Sequence, residues 1–187
     1  VMSSVLIERY GRNFKSEELA YLWTLLQVKN AYFTAEKVAY LNIVNGFRPP
    51  YTATYHNPYR EWIGAQIRSD YYGYINPGDP GTAAEYAFRD ARISHTKNGI
   101  YGAMFFAALI AAAITETDLN QAIERALCEV PSTSRFYEAM RRALEIADNA
   151  ANEEDLLHTV IEEYKQYNVV HTINNAALCL ASIRYSR

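Results

Sequence analysis

Leu19, Leu22, Trp23 and Leu26 recur at i, i+3, i+4 and i+7, a spacing that places four apolar side chains on one face of a helix. Ser16 precedes them and supplies a hydroxyl of the kind that accepts from unpaired N–H groups at a helix start. A second helix is predicted from Thr34, a candidate N-cap, to Gly46, with Val38, Leu41 and Val44 as its apolar positions and the glycine as its stop. Periodicity then disappears. The segment from Gly46 to Gly81 holds five of the six prolines and five of the eight glycines, so a long loop is expected with one short helix around Trp62 to Arg68. Its Trp, Tyr and Ile content argues against disorder, and a loop of this length in a compact domain points to a binding surface.

Helical pattern returns at Thr82, where Ala83, Ala84, Ala87, Phe88 and Ala91 form a stripe while Glu85, Arg89 and Arg92 face away. Asn98 and Gly99 read as a break, and the next helix, from about Tyr101 to Thr115, is apolar on every side. It is shorter than the roughly 20 residues needed to cross a bilayer, so it is assigned to the core and no membrane span is expected. Asp118 with Gln121 resembles a capping pair for a helix to Cys128. Ser132 and Ser134 are cap candidates for a helix through Phe136, Met140, Leu144 and Ala147. Leu156, Leu157, Val160, Ile161 and Tyr164 mark a further helix, and Ile173, Ala176, Ala177, Leu180 and Ile183 the last. No alternating run supports a sheet, so the chain is read as a single all-α domain over residues 1–187.

Composition adds limits. A net charge of −3 gives no basic face for nucleic acid. Cys128 and Cys179 have no metal or redox spacing and are expected to be small buried hydrophobes, a usage that fits the cytoplasm. No positively charged segment followed by an apolar run opens the chain, so no signal peptide is expected. Tyrosine is the outlier, with 16 copies, and clustered phenols suit a surface that stacks on flat ligands.

Asp90, Ser94 and His95 fall at i, i+4 and i+5, which puts an acid, a hydroxyl and an imidazole near one helix end. Spacing alone slightly favours a satisfied core histidine there. His56, His158 and His171 make no metal-ligand spacing with one another. Glu153, Glu154, Asp155, Glu162 and Glu163 are expected on solvated helix faces, and no activated nucleophile or dinucleotide-binding glycine pattern is present.

The stretch INPGDPGTAAEYAFRDARISHTKNGIYGAMFFAALIAAA, residues 75–113, resembles the ADP-ribosylglycohydrolase family, and flanking segments extend the likeness over nearly the whole chain. The resemblance implies an all-α helical bundle that hydrolyses the glycosidic bond linking ADP-ribose to a side chain or small acceptor with two magnesium ions. The family's two metal-binding motifs, Thr-Asp-Asp near its N-terminus and Asp-x-Asp-Thr near its C-terminus, occur nowhere in this sequence. On the resemblance the chain is an incomplete, central portion of the bundle without magnesium ligands, and a homo-oligomer would cover the faces left open. The substrate side carries over to particular residues. Gly64, Gln66, Ile67 and Arg68 stand where the family has a phosphate-binding Gly-Asn-Gly-x-Met-Arg loop, with Gln66 and Ile67 as departures. Arg68 either contacts a phosphate or forms a salt bridge with Asp70 or Glu61. His95 matches the family histidine directed at ADP-ribose, and Tyr74, Asn76 and Tyr101 are placed around the ligand. Three functions follow: a hydrolase of ADP-ribosylated substrates, a non-catalytic ADP-ribose-binding module, or a helical protein-interaction domain.

Overall fold

The computed structural model describes residues 2–26 and 33–186, among which there are eleven α-helices and no named strand. They are α1 (Met2–Tyr10), α2 (Ser16–Leu26), α3 (Thr34–Val44), α4 (Tyr51–Thr54), α5 (Asp70–Tyr74), α6 (Pro80–Ala91), α7 (Asn98–Ala113), α8 (Leu119–Leu127), α9 (Arg135–Asn149), α10 (Glu153–Tyr164) and α11 (Thr172–Tyr185). A 3-10 turn, Gln66–Arg68, precedes α5.

The helix that is apolar all round is the centre of the fold. α7 packs against α5, α6, α8, α9 and α11. Phe105, Ala108, Leu109 and Ala112 join one core with α8 to α11, whereas Ile100, Ala103, Ala107 and Ala111 join a second with α1, α2, α3, α5 and α6. Two apolar faces on one helix are what a sequence without a polar stripe requires. Alanines keep its neighbours close. At Gly73 of α5, a Cβ would lie 2.6 Å from Ile110 Cβ and 2.7 Å from the Ala107 carbonyl oxygen, so only glycine fits between α5 and α7. No helix among the described residues is long and apolar enough to cross a membrane.

Helix starts follow local chemistry. Asp79 accepts from Thr82 N at 3.0 Å with Pro80 in the first turn of α6, and Ser134 accepts from Tyr137 N at 3.1 Å to cap α9. Asp118 caps α8 through Asn120 N at 2.9 Å; its bond runs two residues on, and Ser132 takes no part in the α9 cap. Thr34 is no N-cap. It is the first residue of α3 with φ of 42°, behind Phe33, which makes no side-chain cap bond.

Several expectations change. α1 opens the described chain, although its apolar positions Met2, Val5, Leu6, Ile7 and Tyr10 span too few turns to show a period. Asn98 and Gly99 begin α7; the break lies at 92–97, where Lys97 has φ of 47° and Asn98 Oδ1 accepts from Phe136 N. Phe88 turns out of its stripe and is 38% exposed. Cys128 and Cys179 are exposed, not buried, because they sit on the outer flank of the C-terminal end of α8 and of α11, beside buried Leu127 and Leu180.

The long loop is built, not loose. α4, the 3-10 turn and α5 break it into shorter connections, each element too short to show a period in sequence. Buried polar side chains supply the bonds that helices would otherwise make. Asn42 Nδ2 donates to the Thr52 and Tyr55 carbonyls at 2.9 and 2.8 Å, Asn57 Nδ2 to those of Ala35 and Ser94, and Thr52 Oγ1 to that of Ile93 at 2.6 Å. The other face is held to the C-terminal half: Ile63 N donates to Val170 O at 2.9 Å and Thr172 N to Glu61 O at 3.1 Å.

Candidate functional site: an aromatic cavity backed by a buried ion-pair network

A cavity of about 590 Å³ opens between the 62–71 segment and helices α1, α2 and α3. Trp23, Trp62 and Tyr71 line it with aromatic rings, Gly64 and Ile67 line it as well, and among the described residues Glu36, Arg68 and Asp90 supply its charges. Both tryptophans of the chain line it. The volume falls within the range of small-molecule sites.

Arg68 organises its polar side. Its Nε donates to Asp90 Oδ1 at 2.6 Å, Nη1 to Glu36 Oε1 at 2.6 Å and Nη2 to Ser94 Oγ at 2.9 Å, while the guanidinium lies 5.3 Å from the Trp23 ring centroid. The salt-bridge partners are therefore Asp90 and Glu36 and not the sequence neighbours Asp70 or Glu61, because the 3-10 turn aims the side chain back across α6 and α3. Asp90 also accepts from the Tyr72 hydroxyl at 2.7 Å. Burial and the adjacent Asp90 carboxylate push the Tyr72 pKa well above its ordinary value, so the phenol remains a donor.

His95 lies behind this network, fully buried, with Nδ1 2.8 Å from Ser94 Oγ. Burial, and then the Arg68 charge, hold its pKa well below the ordinary imidazole value, so the ring is neutral. Nε2 has no hydrogen-bond partner among the described residues. The trio Asp90, Ser94 and His95 is thus brought together, with Arg68 as the link that the sequence did not reveal.

The remaining positions scatter. Gln66, the first residue of the 3-10 turn, is buried and accepts from the Thr172 hydroxyl at 2.8 Å. Asn76 is buried, donating to Tyr72 O at 2.8 Å and accepting from Arg12 Nη2 at 2.6 Å. Tyr74 is 60% exposed on the far side of α5. Tyr101 lines a separate cavity of about 310 Å³ with Glu61, Lys97 and Arg135. Of the eight residues that the resemblance placed on the substrate side, Gly64, Ile67 and Arg68 line the aromatic cavity. Glu36, Trp23, Trp62 and Tyr71 were not singled out. Trp62 carried a signal, as a large aromatic in a segment rich in proline and glycine, whereas Glu36 in the first turn of α3 carried none.

Magnesium takes about six oxygen ligands in near-octahedral array. Glu36 and Asp90 are the cavity's carboxylates, both engaged by Arg68, and among the described residues no group of three or more His, Cys, Asp or Glu is placed to hold a metal. The described residues do not fit a dinuclear magnesium site.

The chain is thus an all-α bundle with an aromatic-lined cavity that presents one ion-paired arginine. The family model described as ADP-ribosylglycohydrolase matches residues 2–185, nearly the whole sequence, and the chain belongs to that family. Its members act on ADP-ribosylated substrates and generally use metal ions. No curated protein and no solved structure matches the chain.

Proposed function

We propose that this chain binds the ADP-ribosyl group in the aromatic cavity, as the substrate-holding part of an ADP-ribosylglycohydrolase. The observation that carries the reading is the convergence of Trp23, Trp62 and Tyr71 on one 590 Å³ space that also presents Gly64 and Arg68. The indole and phenol plates stack on adenine, and Arg68 is the cation available to a phosphate. Hydrolysis of the glycosidic bond is the chemistry of the family. Because Arg68 occupies the carboxylates that a metal would need, ligand binding at this cavity is independent of magnesium.

Both tryptophans report on the cavity, so intrinsic fluorescence is the direct assay. ADP-ribose is expected to change it saturably, equally with and without millimolar magnesium, with a calorimetric titration giving the same affinity. Trp62→Ala removes one stacking wall, a contact worth about 1–3 kcal/mol, and is expected to weaken binding about tenfold or more. Absence of ADP-ribose binding, or undiminished affinity in Trp62→Ala, rules the reading out, and binding that requires magnesium would place metal ligands at this cavity after all.

A further inference from the structure

Gly64 and Arg68 are arranged around an anion that the protein supplies itself. A Cβ at Gly64 would collide with the Glu36 carboxylate, so the absent side chain leaves the room in which that carboxylate sits. Arg68 Nη1, on the following turn, donates to Glu36 Oε1 at 2.6 Å. The other nitrogens of the guanidinium are fixed by Asp90 and Ser94, and its position near the Trp23 ring adds a third restraint. If Glu36 turns away, Arg68 cannot follow it, and Nη1 is left bare on the cavity wall.

The charges give this geometry a consequence. Among the described residues, Glu36, Asp90 and Arg68 are the charged ones lining the cavity, and together they carry a net charge of −1 while Glu36 is in place. A phosphate approaching Arg68 meets two carboxylates already bound to that guanidinium, whereas an uncharged nucleoside meets no such opposition. We propose that Glu36 is an internal occupant of the phosphate position, displaced when the ligand binds, and so a specificity-determining residue that selectively lowers affinity for phosphate-bearing ligands. The proposal rests on the ADP-ribose reading above and adds to it the residue that competes with the ligand.

Glu36→Gln keeps the shape and an acceptor for Arg68 but removes the charge, and Glu36→Asp keeps the charge but withdraws it from Arg68. Affinities for ADP-ribose and for adenosine are measured by tryptophan fluorescence on each variant after its unfolding midpoint has been compared with the parent. Glu36→Gln is expected to bind ADP-ribose about tenfold more tightly, equivalent to 1.4 kcal/mol, with adenosine affinity unchanged. Glu36→Asp is expected to fall between parent and Glu36→Gln. Unchanged or weaker ADP-ribose binding in a folded Glu36→Gln, or an equal gain for adenosine, overturns the proposal while leaving the binding site standing. Failure of both probes to bind any of the proteins removes the ADP-ribose reading and this proposal with it.

Discussion

Arg68→Met keeps most of the side-chain volume beside Trp23 and deletes the charge, which isolates what the guanidinium does for the fold. Its two partners differ in burial: the Asp90 side chain is 6% exposed and that of Glu36 17%. Removing one member of a buried pair costs about 3–5 kcal/mol, because the other charge is left without compensation. Two features move the value toward the low end. Asp90 keeps the Tyr72 hydroxyl bond, and Glu36 lines an open cavity where water reaches it once released. A loss of about 3 kcal/mol is therefore expected, which for a chain of this size lowers the unfolding midpoint by about 6–12 °C. Urea denaturation with fluorescence detection measures it. The double variant R68M/D90N removes the stranded charge and is expected to recover a third or more of the loss, a coupling that an additive pair would not show. A loss below about 1 kcal/mol in Arg68→Met would place these ion pairs with ordinary surface bridges and refute the description of a buried network.

The depressed pKa of His95 makes stability pH-dependent with a fixed sign: the folded ring stays neutral while the unfolded ring takes up a proton below its ordinary value near 6.5. Stability from this group is complete above that pH and falls as pH drops through it, by about 1 kcal/mol between pH 6.5 and 5.5. Comparing urea midpoints of the parent and His95→Gln at pH 7.5 and 5.5 tests this, and an equal pH dependence in both proteins would assign the effect to other groups. Gly73→Ala puts a Cβ 2.7 Å from the Ala107 carbonyl oxygen and forces α5 off α7. Overpacking of that kind costs about 1–3 kcal/mol, and a variant as stable as the parent in thermal unfolding would show that the two helices part easily.

Sequence periodicity located most of the long helices, although in α3 it picked the wrong face: Leu41 and Val44 are exposed, and Ala35, Ala39 and Asn42 are the buried positions. Once Leu22 and Trp23 share a face, or α7 has no polar face at all, burial follows from the cost of leaving apolar surface in water, whatever the partner. The cap Ser134 was legible because an N-cap bond spans three residues and needs no tertiary contact, whereas Asp79, three residues before the expected start at Thr82, was not read as one. The family likeness in residues 75–113 was legible as a continuous string, and the match over residues 2–185 agrees with it. What the sequence could not decide is which distant groups meet. Arg68 had Asp70 and Glu61 close by in the chain, yet it pairs with Glu36 and Asp90, 32 and 22 residues away, because packing α3 and α6 around the 3-10 turn makes those carboxylates its neighbours. The aperiodic segment was read as a loop because its order comes from Asn42, Asn57 and Thr52 bonding to remote carbonyls, and such bonds leave no repeat. The cavity itself is a property of tertiary structure: Trp23 from one helix and Trp62 from a turn become two walls of one site through packing alone.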